Sequence, residues 1–143
     1  MNIEVTAKNT DLIERIGLHD VLLESMMWKF DGNSVTFKMS NWEWNNEGEL
    51  TLQGVVYCEA SALRLFNRHP GGPSYINDVY VDDQFSIADL FCRFVKANKL
   101  SLEDCNMPNV GNYFCITMFL DSGDFVRFVV EKLTWESTSE KQL

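Results

Sequence analysis

The chain has 143 residues, 45% of them apolar and 13% aromatic, which suits one soluble domain with a real core and excludes collagen-like, low-complexity and wholly disordered proteins. Acidic residues outnumber basic ones by 21 to 12, a net charge of −9. That balance argues against nucleic acid as a partner, since affinity for phosphate backbones comes from Lys and Arg, and equally against an anionic membrane surface.

The first residues mix acids, polar groups and apolar ones, unlike the apolar stretch of an export signal, and no run approaches eighteen apolar residues; the expectation is a cytoplasmic protein. Residues 10–17 read as a short helix, with Thr10 as cap and Gly17 as a left-handed stop. Residues 21–30 are strongly apolar. Asp20 could cap them as a helix, but an Asp31-Gly32-Asn33-Ser34 turn followed by the alternation of Val35, Phe37 and Met39 with Thr36, Lys38 and Ser40 favours a hairpin. A third strand runs over 49–59, with Gly54 as a bulge. A short strand over 62–66 precedes a Pro/Gly loop, and another strand covers 75–81.

Ser86-Ile87-Ala88-Asp89 is a capping-box variant, and Ile87, Leu90, Phe91, Phe94 and Val95 fall at helical spacing, so 86–97 is the strongest helix. A connector over 100–111 leads to a closing hairpin of 113–120 and 125–135 around Asp121-Ser122-Gly123-Asp124, with Ile116, Met118 and Leu120 facing the core beside Val126, Phe128 and Val130. Residues 1–136 make one β-rich domain and 137–143 a frayed polar tail. The fold class is mainly β: an antiparallel β-sandwich or rolled sheet with a short N-terminal helix and a helix near 86–97.

Cys58, Cys92, Cys105 and Cys115 contain no C-x-x-C pair; Cys58, Cys92 and Cys115 sit in apolar or aromatic runs, as core thiols do. No metal site or cofactor is expected. The two histidines, His19 and His69, are the natural acid–base candidates, and with Asp20 they define an alternative polar site for a small ligand or a small enzyme. For His19 and Asp20 the favoured reading is structural, capping the turn that feeds the strand at 21–30.

The segment from Trp42 through Glu43, Trp44 and Glu47 to Glu49 interleaves indoles with carboxylates. Residues 41–60 hold four acids and no base. Both indoles can simply cap the core; the functional reading is a recognition surface on which aromatics anchor and acids steer a basic protein partner. An exposed strand edge or apolar patch would also allow a homodimer.

Leu18-His19-Asp20, Pro70-Gly71-Gly72-Pro73-Ser74-Tyr75-Ile76-Asn77 and Ser122-Gly123-Asp124 together resemble a family of uncharacterised small bacterial proteins with Leu-His-Asp, Pro-Trp-Gly-Pro-Ser-like and Ser-Gly-Asp motifs. Gly71 stands where that family has Trp. The resemblance implies a β-rich domain similar to immunity proteins of bacterial toxin systems, and it implies no catalytic residue. The leading expectation is therefore a non-enzymatic protein-binding domain, immunity-like, that uses an acidic aromatic surface against a cationic toxin.

Overall fold

The computed structural model describes residues 2–41, 46–61, 74–99, 109–121 and 123–138. The strands are β1 (Asn2–Thr6), β2 (Val21–Lys29), β3 (Ser34–Asn41), β4 (Asn46–Gln53), β5 (Tyr57–Ala60), β6 (Ser74–Val81), β7 (Phe114–Leu120), β8 (Phe125–Val130) and β9 (Lys132–Ser137). One α-helix, α1 (Ile87–Ala97), and two 3₁₀ helices (Thr10–Ile16 and Val110–Asn112) complete the described elements. The mainly antiparallel β expectation holds: nine strands form one open sheet in the order β1-β9-β4-β3-β2-β6-β7-β8-β5. No helix among the described residues is long and apolar enough to cross a membrane.

The core follows the alternation of the strands. Val35, Phe37 and Met39 are buried on one face of β3, and Ile116, Met118 and Leu120 on one face of β7, with Phe128 and Val130 of β8 and half-buried Val126 packed against them. The Phe37 and Phe128 rings meet edge to face with centroids 5.8 Å apart. Their strands stand four places apart in the sheet order, which in a flat sheet would separate them by about 19 Å. The sheet therefore curves strongly, and one core draws on both of its halves. Ile13, Ile16 and Leu18 from the N-terminal 3₁₀ helix and the turn after it join that core.

Several local expectations need correction. Asn9, not Thr10, precedes the first helix, and its side-chain oxygen accepts the Thr6 amide at 2.6 Å instead of capping the helix. Gly17 does end it in the left-handed conformation (φ 71°, ψ 52°). The strand expected over 49–59 is two strands, with the break at Gly54 (φ +64°). Likewise 125–135 divides at Glu131 into β8 and β9, because β8 pairs with β7 and β5 whereas β9 pairs with β1 and β4. Glu136 and Ser137 belong to β9, and the Thr138 amide donates to the Glu47 carbonyl at 2.8 Å. The strand over 62–66 and residues 139–143 lie outside the described residues.

In α1 the Ser86 hydroxyl accepts the Asp89 amide at 3.2 Å, as the capping pattern requires. Phe91 and Val95 form its buried line; Phe94 lies at the flank and is mostly exposed. Of the thiols, Cys115 is buried, whereas Cys58 on the edge strand β5 and Cys92 on the outer side of α1 are exposed.

Trp135 on β9 is fully buried, and its indole N–H meets no acceptor among the described residues. Packing locates it, and Gly48 on β4 is what makes the room. A Cβ at Gly48 would lie 2.5 Å from the Glu136 carbonyl oxygen and 2.6 Å from Trp135 Cζ2. Gly48→Ala is expected to lower stability by about 1–3 kcal/mol, the usual cost of overpacking; a urea melt checks this, and an unchanged midpoint would contradict the packing account.

Candidate functional site

The outer face of β6, β7, β8 and β5, the side turned away from the core, carries most of the chemistry. Pairing sets its rows. Glu59, Arg127 and Thr117 lie side by side across β5, β8 and β7, with Tyr80 beyond on β6. The next row runs from Phe125 to Phe119 to Asp78. Opposed residues on neighbouring strands share a face, so these side chains form one surface.

Arg127 is its centre. The guanidinium reaches Glu59 Oε2 at 3.2 Å, Asp82 Oδ2 at 3.4 Å and the Thr117 hydroxyl at 3.4 Å. Its central carbon lies 5.0 Å from the ring centroids of both Phe85 and Phe125. The Arg127 side chain is only 19% exposed and Asp82 only 14%, so these ion pairs are shielded from the screening that makes surface pairs weak. Tyr57 extends the network by donating its hydroxyl to Glu59 Oε2 at 2.8 Å. Burial first, and then that bond to the carboxylate, hold the Tyr57 phenol above its ordinary pKa, so it stays a donor. On the same face, burial pushes the Cys115 thiol up to about 11, and it remains protonated at neutral pH.

Aromatic contacts continue on both sides of Arg127. Tyr57 stacks on Phe85 at 5.8 Å, Phe125 meets Phe119 at 6.2 Å, and Phe119 stacks on Tyr80 at 5.8 Å with 22° between the planes. Tyr80 and Phe119 are 36% and 37% exposed. Around α1, Phe85 also walls an open groove of about 490 Å³ whose lining includes Arg93, Lys96 and Asp89. The face thus has a mixed-charge margin at the helix and a carboxylate-bearing margin at β6.

That acidic margin is where part of the alternative polar site lies. A bulge at Asn77, between the pairs Ile76–Leu120 and Asp78–Phe119, leaves both Asn77 and Asp78 exposed, a device that often re-aims side chains near functional surfaces. His19 Nδ1 contacts the Asn77 carbonyl, its Nε2 lies 3.2 Å from Asp20 Oδ2, and the Asp20 amide donates to the Ile76 carbonyl at 2.8 Å. Asp20 takes φ +60° to do so, a conformation that Asp tolerates better than most residues. Both side chains are mostly exposed. Close by, the Asp121 amide donates to the Tyr75 carbonyl at 3.0 Å, so segments 18–20, 75–77 and 121 meet at one end of the sheet.

The structure brings His19 and Asp20 together; His69 lies outside the described residues. Of the acidic aromatic segment, Trp42, Glu43 and Trp44 also lie outside them. Glu47 is half-buried on β4, and Glu49 is exposed there between Lys38 on β3 and Glu136 on β9. No group of three or more potential ligand side chains is arranged to hold a metal ion among the described residues. Sequence reasoning missed the Arg127 surface altogether. Its one signal was a cation inside the apolar run Phe125-Val126-Arg127-Phe128-Val129-Val130, since such a charge needs a partner when its neighbours are buried.

No family model matches the chain, and no curated protein matches it. Among solved structures it is similar to the crystal structure of an uncharacterized protein from Neisseria gonorrhoeae, at 15% identity and a TM-score of 0.42, over 95% of this chain and 97% of that one.

Arg127→Met should cost about 2–3 kcal/mol of stability, because it strands the Asp82 carboxylate on a poorly solvated face. Glu59→Gln, at a more exposed partner, should cost under about 1 kcal/mol. Thermal unfolding of both variants checks the order, and equal losses would contradict a central role for Arg127.

Proposed function

We propose that this chain is a non-enzymatic protein-binding domain for a basic protein partner, with the outer face of β6, β7, β8 and β5 as its contact surface. The observation that carries the reading is the pair of exposed, stacked rings Tyr80 and Phe119, set beside carboxylates on a chain of net charge −9. Exposed aromatics are the residues that anchor interfaces, and an excess of carboxylates speeds encounter with a cationic surface. The sequence resemblance adds a bacterial setting and an immunity-like role, in which the partner is a cationic toxin and binding neutralises it in the cytoplasm, the compartment expected from the N-terminal residues. The surface at Trp42, Glu43, Trp44, Glu47 and Glu49 remains part of this proposal as a second contact.

We also infer that the sheet is rolled. Support comes from the pairing itself, in which β2-β3-β4-β9 and β8-β7-β6-β2 are successive neighbours and only Glu131 separates β8 from β9. A second functional reading, a small-ligand site or small enzyme at His19, Asp20 and His69, is favoured by the 3.2 Å His19–Asp20 pair.

The experiment is to recover partners from an extract of the producing cells, identify the bound protein, and measure its association rate at low and high salt. The expected partner is strongly basic, inhibited on binding, and slowed about tenfold or more between 50 and 300 mM salt. A neutral or acidic partner, or a rate indifferent to salt, would overturn the reading.

A further inference from the structure

Resting on that reading, we propose that Asp78, Phe119 and Tyr80 form a receptor for an arginine side chain of the partner protein. The same face already holds one guanidinium: Arg127 lies against Phe85 and Phe125 and is paired with Glu59 and Asp82. Towards β6, at the end of that row and in the next, the components recur without the cation. Phe119 and Tyr80 present stacked rings at 5.8 Å, each more than a third exposed. Asp78 stands directly opposite Phe119 on β6 and two residues from Tyr80, hence on their face. Its exposed carboxylate engages no hydrogen bond or ion pair among the described residues.

Phe125 touches both settings, 5.0 Å from the Arg127 guanidinium and 6.2 Å from the Phe119 ring. An incoming cation therefore meets a surface whose aromatic order is already set, with Arg127 screened from it by its own two carboxylates. The charge is complementary: on the β6 side the charged and titratable groups are Asp78, Asp20 and the His19 paired with it, while Arg93 and Lys96 lie at the helix groove together with Asp89. Arginine is preferred over lysine for a physical reason. A guanidinium is planar and weakly hydrated, so it stacks on a ring while its edge donates two parallel hydrogen bonds to a carboxylate; an ammonium is a strongly hydrated point charge that cannot do both.

The test compares acetylated hexa-arginine and hexa-lysine peptides, equal in charge, titrated into the full chain in low salt. Hexa-arginine is expected to bind about fivefold more tightly than hexa-lysine. Tyr80→Leu, which keeps bulk but removes the π-face, should erase most of that preference, and Asp78→Asn should weaken hexa-arginine binding about threefold or more. Because Tyr80 and Asp78 are exposed, both variants should melt like the parent, and the melts are recorded alongside; Phe119→Leu provides an independent removal of the second ring. Equal binding of the two peptides, or an arginine preference untouched by all three variants, overturns the receptor while leaving a basic-partner domain intact. No binding of either peptide, together with no basic partner from the cell extract, overturns both.

Discussion

One extra residue shapes the molecule. Segments 46–60 and 125–137 run side by side as antiparallel strands, but between the pairs Gln53–Lys132 and Tyr57–Val129 the first has three residues and the second two. Gly54 absorbs the mismatch at φ +64°, a conformation that costs a glycine little, and a Cβ there would press 2.9 Å from the Glu131 side chain. Hydrogen bonds close the bend on either side: the Glu131 amide to the Gln53 carbonyl at 3.0 Å, the Val56 amide to the Val129 carbonyl at 3.0 Å. The Val55 amide also reaches the Asn33 carbonyl at 2.9 Å, tying the bend to the turn between β2 and β3. A bulge of this kind bends the strand that carries it and raises the local twist. Here it lets one stretch of ladder serve both halves of the sheet, which is why Phe37 and Phe128 can meet across the core.

The same bend sets the outer face. Beyond it, Glu59 comes opposite Arg127, and Arg127 opposite Thr117; a slip of one residue would send the guanidinium into the core and Phe128 to solvent. The cation is held between two rings and two carboxylates, and the rings on its far side remain half in water. A surface of this kind is ordered before any partner arrives, so less entropy is lost on contact.

What could be read from the sequence was local. Ser86 with its helical apolar spacing placed α1, alternation placed β3 and the β7–β8 hairpin with their buried faces, and Gly17 marked the end of the first helix. Gly54 was recognisable as an irregularity, yet that it parts two strands depends on Glu131, 77 positions away. Strand β1 escaped notice because Ile3 and Val5 are too few for a pattern; β9 makes it a strand by pairing with it. The candidate surface was hidden for the same reason. Asp78 and Phe119, or Arg127 and Asp82, are neighbours only through strand order, which composition and periodicity do not contain. The feature that was legible, the alternation of indoles and carboxylates after Asn41, lies largely outside the described residues, and of it Glu47 and Glu49 are located, on β4.

The central claim is that recognition belongs to the face carrying Tyr80, Phe119 and Asp78. The most direct measurement is a map of backbone amide shifts of the isotopically labelled chain as hexa-arginine peptide is added. The account predicts that the largest changes fall on Asp78, Tyr80, Phe119 and Phe125, with Glu4 and Lys132 at the β1–β9 edge nearly still. Changes confined to Glu47 and Glu49, or spread evenly over every exposed carboxylate, would contradict it.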